Sequence, residues 1–135
     1  SLYYGNEKSE KMKKEQILKD VDYVLGRKRG LGPINQIEKK YLKRIKNYFE
    51  SGCPLPCKAL SSSCFIDPLG NVYPCTGYDI NLGNLRNFDY DLKKIWNSKK
   101  SKKTRKKIKN CECGGCWTPC EAYQTIIGNI IKFWK

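Results

Sequence analysis

Eight cysteines and no histidine in 135 residues leave this chain few ways to do chemistry. Cys53, Cys57, Cys64 and Cys75 gather in mid-chain, and Cys111, Cys113, Cys116 and Cys120 crowd together near the C-terminus. Two groups of four soft thiolates suit zinc or an iron–sulfur cluster. The missing histidine excludes zinc fingers that pair two cysteines with two histidines, Rieske centres, imidazole general bases and every Ser-His-Asp or Cys-His arrangement. What remains is thiolate chemistry.

The length predicts one compact unit, and a 30% share of charged residues predicts a modest core that gains from a covalent or metal staple. No run of eighteen apolar residues occurs, so no membrane-spanning helix is expected. The longest apolar-rich stretch, Ile126 to Trp134, is interrupted by Gly128, Asn129 and Lys132. The chain opens Ser1-Leu2-Tyr3-Tyr4-Gly5, without Met and without a secretory segment. That opening reads as a piece of a longer polypeptide, and the basic composition as an intracellular, cytoplasmic one. An even cysteine count also admits disulfides, as in secreted proteins or those of hyperthermophiles.

The net charge of +14 raises a nucleic-acid reading. The densest patch is Lys99 to Lys109, within which Lys102, Lys103, Arg105 and Lys106 would be the phosphate contacts. No aromatic residue lies inside that run, so it offers bases no stacking platform. A solvated helix face is the simpler reading.

Apolar spacing predicts an amphipathic helix from about Asn6 to Leu25, with Ile17, Leu18, Val21, Val24 and Leu25 on its stripe and Gly26 as a stop. A second runs from Pro33 to Phe49, with Ile34, Ile37, Tyr41, Ile45, Tyr48 and Phe49 on one face. From Cys53 the texture turns to Pro, Ser, Gly and Cys. Ser63–Ile66 and Asn71–Tyr73 read as strands around Asp67-Pro68-Leu69-Gly70, where Asp, Pro and Gly each occupy their favoured turn position. Gly83-Asn84-Leu85 reads as another turn, Asp91 to Lys109 as one helix, and Glu121 to Trp134 as the last. The expected class is α+β: N-terminal helices, a small β-hairpin and helix metal-binding unit, then a C-terminal helix.

Cys113-Gly114-Gly115-Cys116 is a C-x-x-C pair with Cys120 beyond it. Glycines in such a loop let backbone N–H groups turn toward the sulfurs and stabilise their charge. The hairpin would return Cys75 close to Cys57.

The ordered series Cys64-Phe65-Ile66-Asp67-Pro68-Leu69-Gly70-Asn71-Val72-Tyr73-Pro74-Cys75, then Leu82-Gly83-Asn84-Leu85, then Leu92 to Ser98, then Cys113-x-x-Cys116-x-x-x-Cys120 resembles the C-terminal extension of radical S-adenosylmethionine enzymes, called the SPASM domain or, in shorter form, the twitch domain. The resemblance covers about Cys53 to Tyr123. It implies a division at 1–52, the end of a catalytic barrel and its bridging helices, and 53–135, an auxiliary cluster domain. It implies a 4Fe–4S cofactor, ligated by Cys57, Cys75 and two of Cys113, Cys116 and Cys120. Cys53, Cys64 and Cys111 are further candidate ligands. The spacing Cys111-x-Cys113-x-x-Cys116, with no cysteine after Cys120, departs from the two-cluster form, so one cluster is favoured over two.

The enzymes' own Cys-x-x-x-Cys-x-x-Cys signature is absent: Cys53 and Cys57 have its first spacing, and the next cysteine is Cys64. No catalytic residue is therefore assigned, and the chain alone is expected to be inert. The resemblance implies electron transfer or substrate anchoring beside a barrel belonging to the same polypeptide, with no membrane partner. The alternative is a zinc-stabilised four-cysteine binding module, with RNA at the 99–109 patch.

Overall fold

The computed structural model describes residues 14–130. The expected α+β class is borne out: six helices accompany one three-stranded antiparallel sheet among the described residues. Helix α1 spans Lys14–Arg27, and the expected start near Asn6 lies outside the described residues. Gly26 does not stop α1, which continues to Arg27, whose guanidinium stacks 3.6 Å from the Tyr23 ring centroid. An ion pair between Lys28 and Glu38 and a hydrogen bond from Lys39 Nζ to the Gly30 carbonyl at 3.1 Å tie the following connection to the next helix.

The expected second helix is two. Helix α2 is Pro33–Lys43 and α3 is Ile45–Ser51, interrupted at Arg44. The cause is remote in sequence. The Tyr41 carbonyl accepts the Arg44 N–H at 3.1 Å and the Trp117 indole N–H at 2.9 Å. A continuous helix would direct that carbonyl to Ile45, and an inserted side-chain donor is a known origin of a break in the i→i−4 ladder. Gly52 then closes α3 in the left-handed region, φ +71°, with its N–H on the Tyr48 carbonyl at 2.8 Å.

The hairpin forms as expected. Strand β1, Phe65–Ile66, pairs with β2, Asn71–Tyr73, in the register Phe65 with Tyr73 and Ile66 with Val72. Asp67 fixes the turn by accepting the Leu69 and Asn71 amides, each at 2.9 Å, while Gly70 supplies φ +84°. Gly83–Asn84, expected as a turn, is instead a two-residue strand β3 on the other edge of β2. Asn84 then caps a short 3-10 turn, Leu85–Phe88, with its side chain on the Arg86 amide.

The helix expected over 91–109 is also two. Asp91 caps α4, Leu92–Trp96, and Ser98 starts α5, Lys99–Lys109, by accepting the Ser101 amide at 3.1 Å. The Ser101 hydroxyl donates back to the Ile95 carbonyl at 2.6 Å, so the break is internally satisfied. Helix α6 runs Pro119–Ile130, and its expected extension to Trp134 lies outside the described residues.

Two cores result. Ala59, Leu60, Val72, Leu82, Ile95 and Ile108 join the hairpin to α4 and α5. Trp117, Ala122 and Ile126 form the other, against Ile37, Tyr41, Ile45 and Tyr48 of α2 and α3. The N-terminal helices thus share a core with α6. Cys57, Cys64, Cys75 and Cys113 pack against the first core. No described helix is long and apolar enough to cross a membrane.

Candidate metal centre

Four thiols from three separate segments line one small cavity: Cys57, Cys75, Cys113 and Cys116. Cys57 follows the end of α3, Cys75 follows β2, and the other two flank the glycine pair between α5 and α6. Leu55, Ala59, Ile108, Trp117 and Ala122 wall the cavity with apolar surface. The space between these groups is about 20 Å³, room for roughly one water.

The glycine pair is required by geometry. Gly115 has φ +70°, and a Cβ placed on it would lie 2.3 Å from the Gly52 carbonyl oxygen. The loop carrying Cys113 and Cys116 is therefore pressed against the backbone that ends α3. A disulfide between Cys53 and Cys111, with Cα atoms 6.1 Å apart, fastens the same two segments.

Backbone amides face the sulfurs in a repeated pattern. The Ala59 N–H donates to Cys57 Sγ at 3.4 Å. The Gly77 and Tyr78 amides donate to Cys75, and the Thr118 amide to Cys116. In all three cases a donor comes from two residues further along the chain. Amide N–H groups aimed at sulfur stabilise thiolate, the form that ligates metal. The Thr125 hydroxyl reinforces one of them: it accepts the Lys58 N–H at 3.0 Å and donates to Cys57 Sγ at 3.9 Å.

Burial acts against those donors. It raises the Cys57, Cys75 and Cys116 thiols above the ordinary value, Cys75 to about 11. The Glu121 carboxylate pushes all three further in the same direction. Glu121 also lines the cavity, is only 8% exposed, and has its own pKa raised by burial while Gln124 donates to it. In the sequence Glu121 marks only the expected start of the last helix. Its position one residue after Cys120, in the first turn of α6, was the available signal.

Of the remaining candidates, Cys53 also borders the cavity and the others lie outside it. Cys53 and Cys111 are consumed by their disulfide, which takes both thiols out of the ligand set in this state. Cys64 packs against the hairpin core and does not line the cavity. Cys120 is exposed, with its sulfur 3.1 Å from the Thr118 hydroxyl.

The donor set fits an iron–sulfur cluster: four thiols, amide donors to three of them, and an apolar wall against water. Among the described residues no three Cys, Asp or Glu side chains converge tightly enough to hold a single metal ion.

The basic patch divides into two faces. Lys102, Lys103 and Lys106 are exposed on α5. Arg105 is committed to the fold: its guanidinium lies 4.8 Å from the Trp96 ring centroid and donates to the carbonyls of Leu60 at 2.5 Å and Trp96 at 2.6 Å. Its phosphate-binding role in the RNA alternative conflicts with that engagement.

Residues 57–117 match the family model of SPASM, an iron–sulfur cluster-binding domain. The matched segment takes in all four thiols that line the cavity and leaves Cys53 and Cys120 outside. No curated protein and no solved structure matches this chain. The match supports a cluster-binding role for the segment from Cys57 to Trp117.

Proposed function

We propose that this chain is the auxiliary cluster domain of a radical S-adenosylmethionine enzyme, binding one 4Fe–4S cluster at Cys57, Cys75, Cys113 and Cys116. The observation that carries the reading is the convergence of those four thiols on one apolar-walled cavity inside the SPASM match. A bound cluster would supply one-electron redox chemistry.

The chain's own residues do the rest. Cys57, Cys75 and Cys116 hold their sulfurs toward the cavity with amides of residues two positions on. Leu55, Ile108 and Trp117 keep water away, which strengthens each N–H···S interaction. Deprotonation of the four thiols accompanies assembly, and the protons leave to solvent. The role we assign is electron transfer, or anchoring of a substrate, next to a catalytic barrel on the same polypeptide. Thiol ligation of this kind suits a reducing compartment, so the cytoplasm is the proposed location, and there Cys53 and Cys111 would stand as paired free thiols.

Anaerobic reconstitution with ferrous iron and sulfide tests the reading. The expected result is broad brown absorbance and about four irons with matching labile sulfide per chain, as expected of a cluster held by four thiolates. Zinc uptake with no labile sulfide would overturn it in favour of a zinc module.

A further inference from the structure

Cys57 borders two hollows. One is the four-thiol cavity. The other is a surface groove lined by Lys58, Arg105, Lys106 and Lys109, together with Pro56, Ser61 and Asn129. Four cations and no acid line that groove. Lys106 and Lys109 stand three apart on α5 and so share a face. Lys58 is set by its amide hydrogen bond to Thr125, and its aliphatic stem runs over Gly128, where a Cβ would lie 3.1 Å from Lys58 Cγ.

We propose that this groove docks an acidic one-electron carrier protein, which exchanges an electron with the cluster site across Cys57. The proposal rests on the cluster reading above. What sets this surface apart from the other lysines is its floor, since anything seated there lies one side chain from the site. No aromatic residue lines the groove, and the Trp96 ring is covered by Arg105, so nucleic acid would find no stacking surface. Electron-transfer encounters use small, charge-matched contacts, and opposite charge raises their association rate in a salt-dependent way. The exchange balances simply: the reduced carrier loses one electron, the cluster site gains it, and no bond or proton moves.

The test uses the reconstituted chain and an acidic plant-type [2Fe–2S] ferredoxin as probe, with electron transfer followed by stopped flow in its downhill direction. Lys106→Glu/Lys109→Glu should slow the second-order rate about tenfold or more at low ionic strength, the scale of electrostatic steering. Lys43→Glu/Lys46→Glu, exposed on α2 and α3 and outside the groove, changes net charge equally and should leave the rate within about twofold, since steering depends on local field. The gap should close as salt is raised. Equal effects from the two pairs, or no salt dependence, would overturn the docking surface while dithionite reduction shows the cluster intact. A groove that binds single-stranded RNA while electron transfer ignores both pairs would overturn it too. A chain that never acquires labile sulfide would overturn the cluster reading and the docking surface with it.

Discussion

The Trp117 indole donates its N–H to the Tyr41 carbonyl at 2.9 Å, and this one bond links the end of the Cys113–Cys116 loop to helix α2. The rings of the two residues also stack, with centroids 6.0 Å apart. Trp117→Phe keeps the apolar body and removes the donor, so unfolding in urea should show a loss of about 1 kcal/mol, the usual net worth of one hydrogen bond. Trp117→Ala should cost about 3–5 kcal/mol through the cavity it leaves. Similar small losses from both variants would show that Trp117 does not join the two parts.

Ligand identity is open to direct substitution. Cys57→Ser, Cys75→Ser, Cys113→Ser and Cys116→Ser should each lose most of the iron and labile sulfide after reconstitution, because a hydroxyl is a poor match for the cluster. Cys64→Ser and Cys120→Ser should retain it. Thr125→Val, which deletes the hydroxyl beside Cys57, should weaken retention about tenfold, as outer-shell changes commonly do. Equal damage at all of these cysteines would favour a second cluster.

Proton linkage at Cys75 gives a pH signature in the metal-free, reduced chain. Burial raises this thiol from 9.0 to about 11, so the folded chain keeps a proton that the unfolded chain sheds. That contribution to stability is full below pH 9 and is lost as pH rises toward 11. Alkylation by iodoacetamide follows the thiolate, so at pH 8 Cys75 should label far more slowly than exposed Cys120. Peptide mass spectrometry reads both rates, and equal labelling would show that Cys75 is not buried.

Arg105 separates a structural basic patch from a nucleic-acid one. Arg105→Lys cannot reach both the Leu60 and Trp96 carbonyls and should cost about 2 kcal/mol, the range for hydrogen bonds to charged groups. Lys102→Ala and Lys103→Ala should stay within about 0.5 kcal/mol, as surface changes do. Urea midpoints at constant m-value check this, and equal effects at the three positions would refute the structural role.

Local chemistry made part of this molecule legible in advance. Asp67, Pro68 and Gly70 specify the hairpin turn by themselves, and Cys113 and Cys116, singled out by their spacing, line one cavity. The break at Ser98 had a visible signal, since serine is a favoured N-cap residue. The break at Arg44 had none, because its cause is an indole contributed by the loop after α5. Strand β3 is too short for any alternation to show. Likewise, the pairing of Cys53 with Cys111 could not be deduced from spacing, which leaves disulfide connectivity undetermined. Glu121 is signalled in the sequence only by its place after Cys120, because burial of a carboxylate is a property of the folded cavity.

The four thiols that meet in one cavity are scattered along the order of synthesis. Cys57 and Cys75 emerge from the ribosome well before Cys113 and Cys116. At translation rates of about 5–20 residues per second, the first sulfur waits on the order of three to twelve seconds for the last. A cluster assembled at these four thiols would therefore be a late event in the life of the nascent chain, with two early thiols waiting for their partners until then.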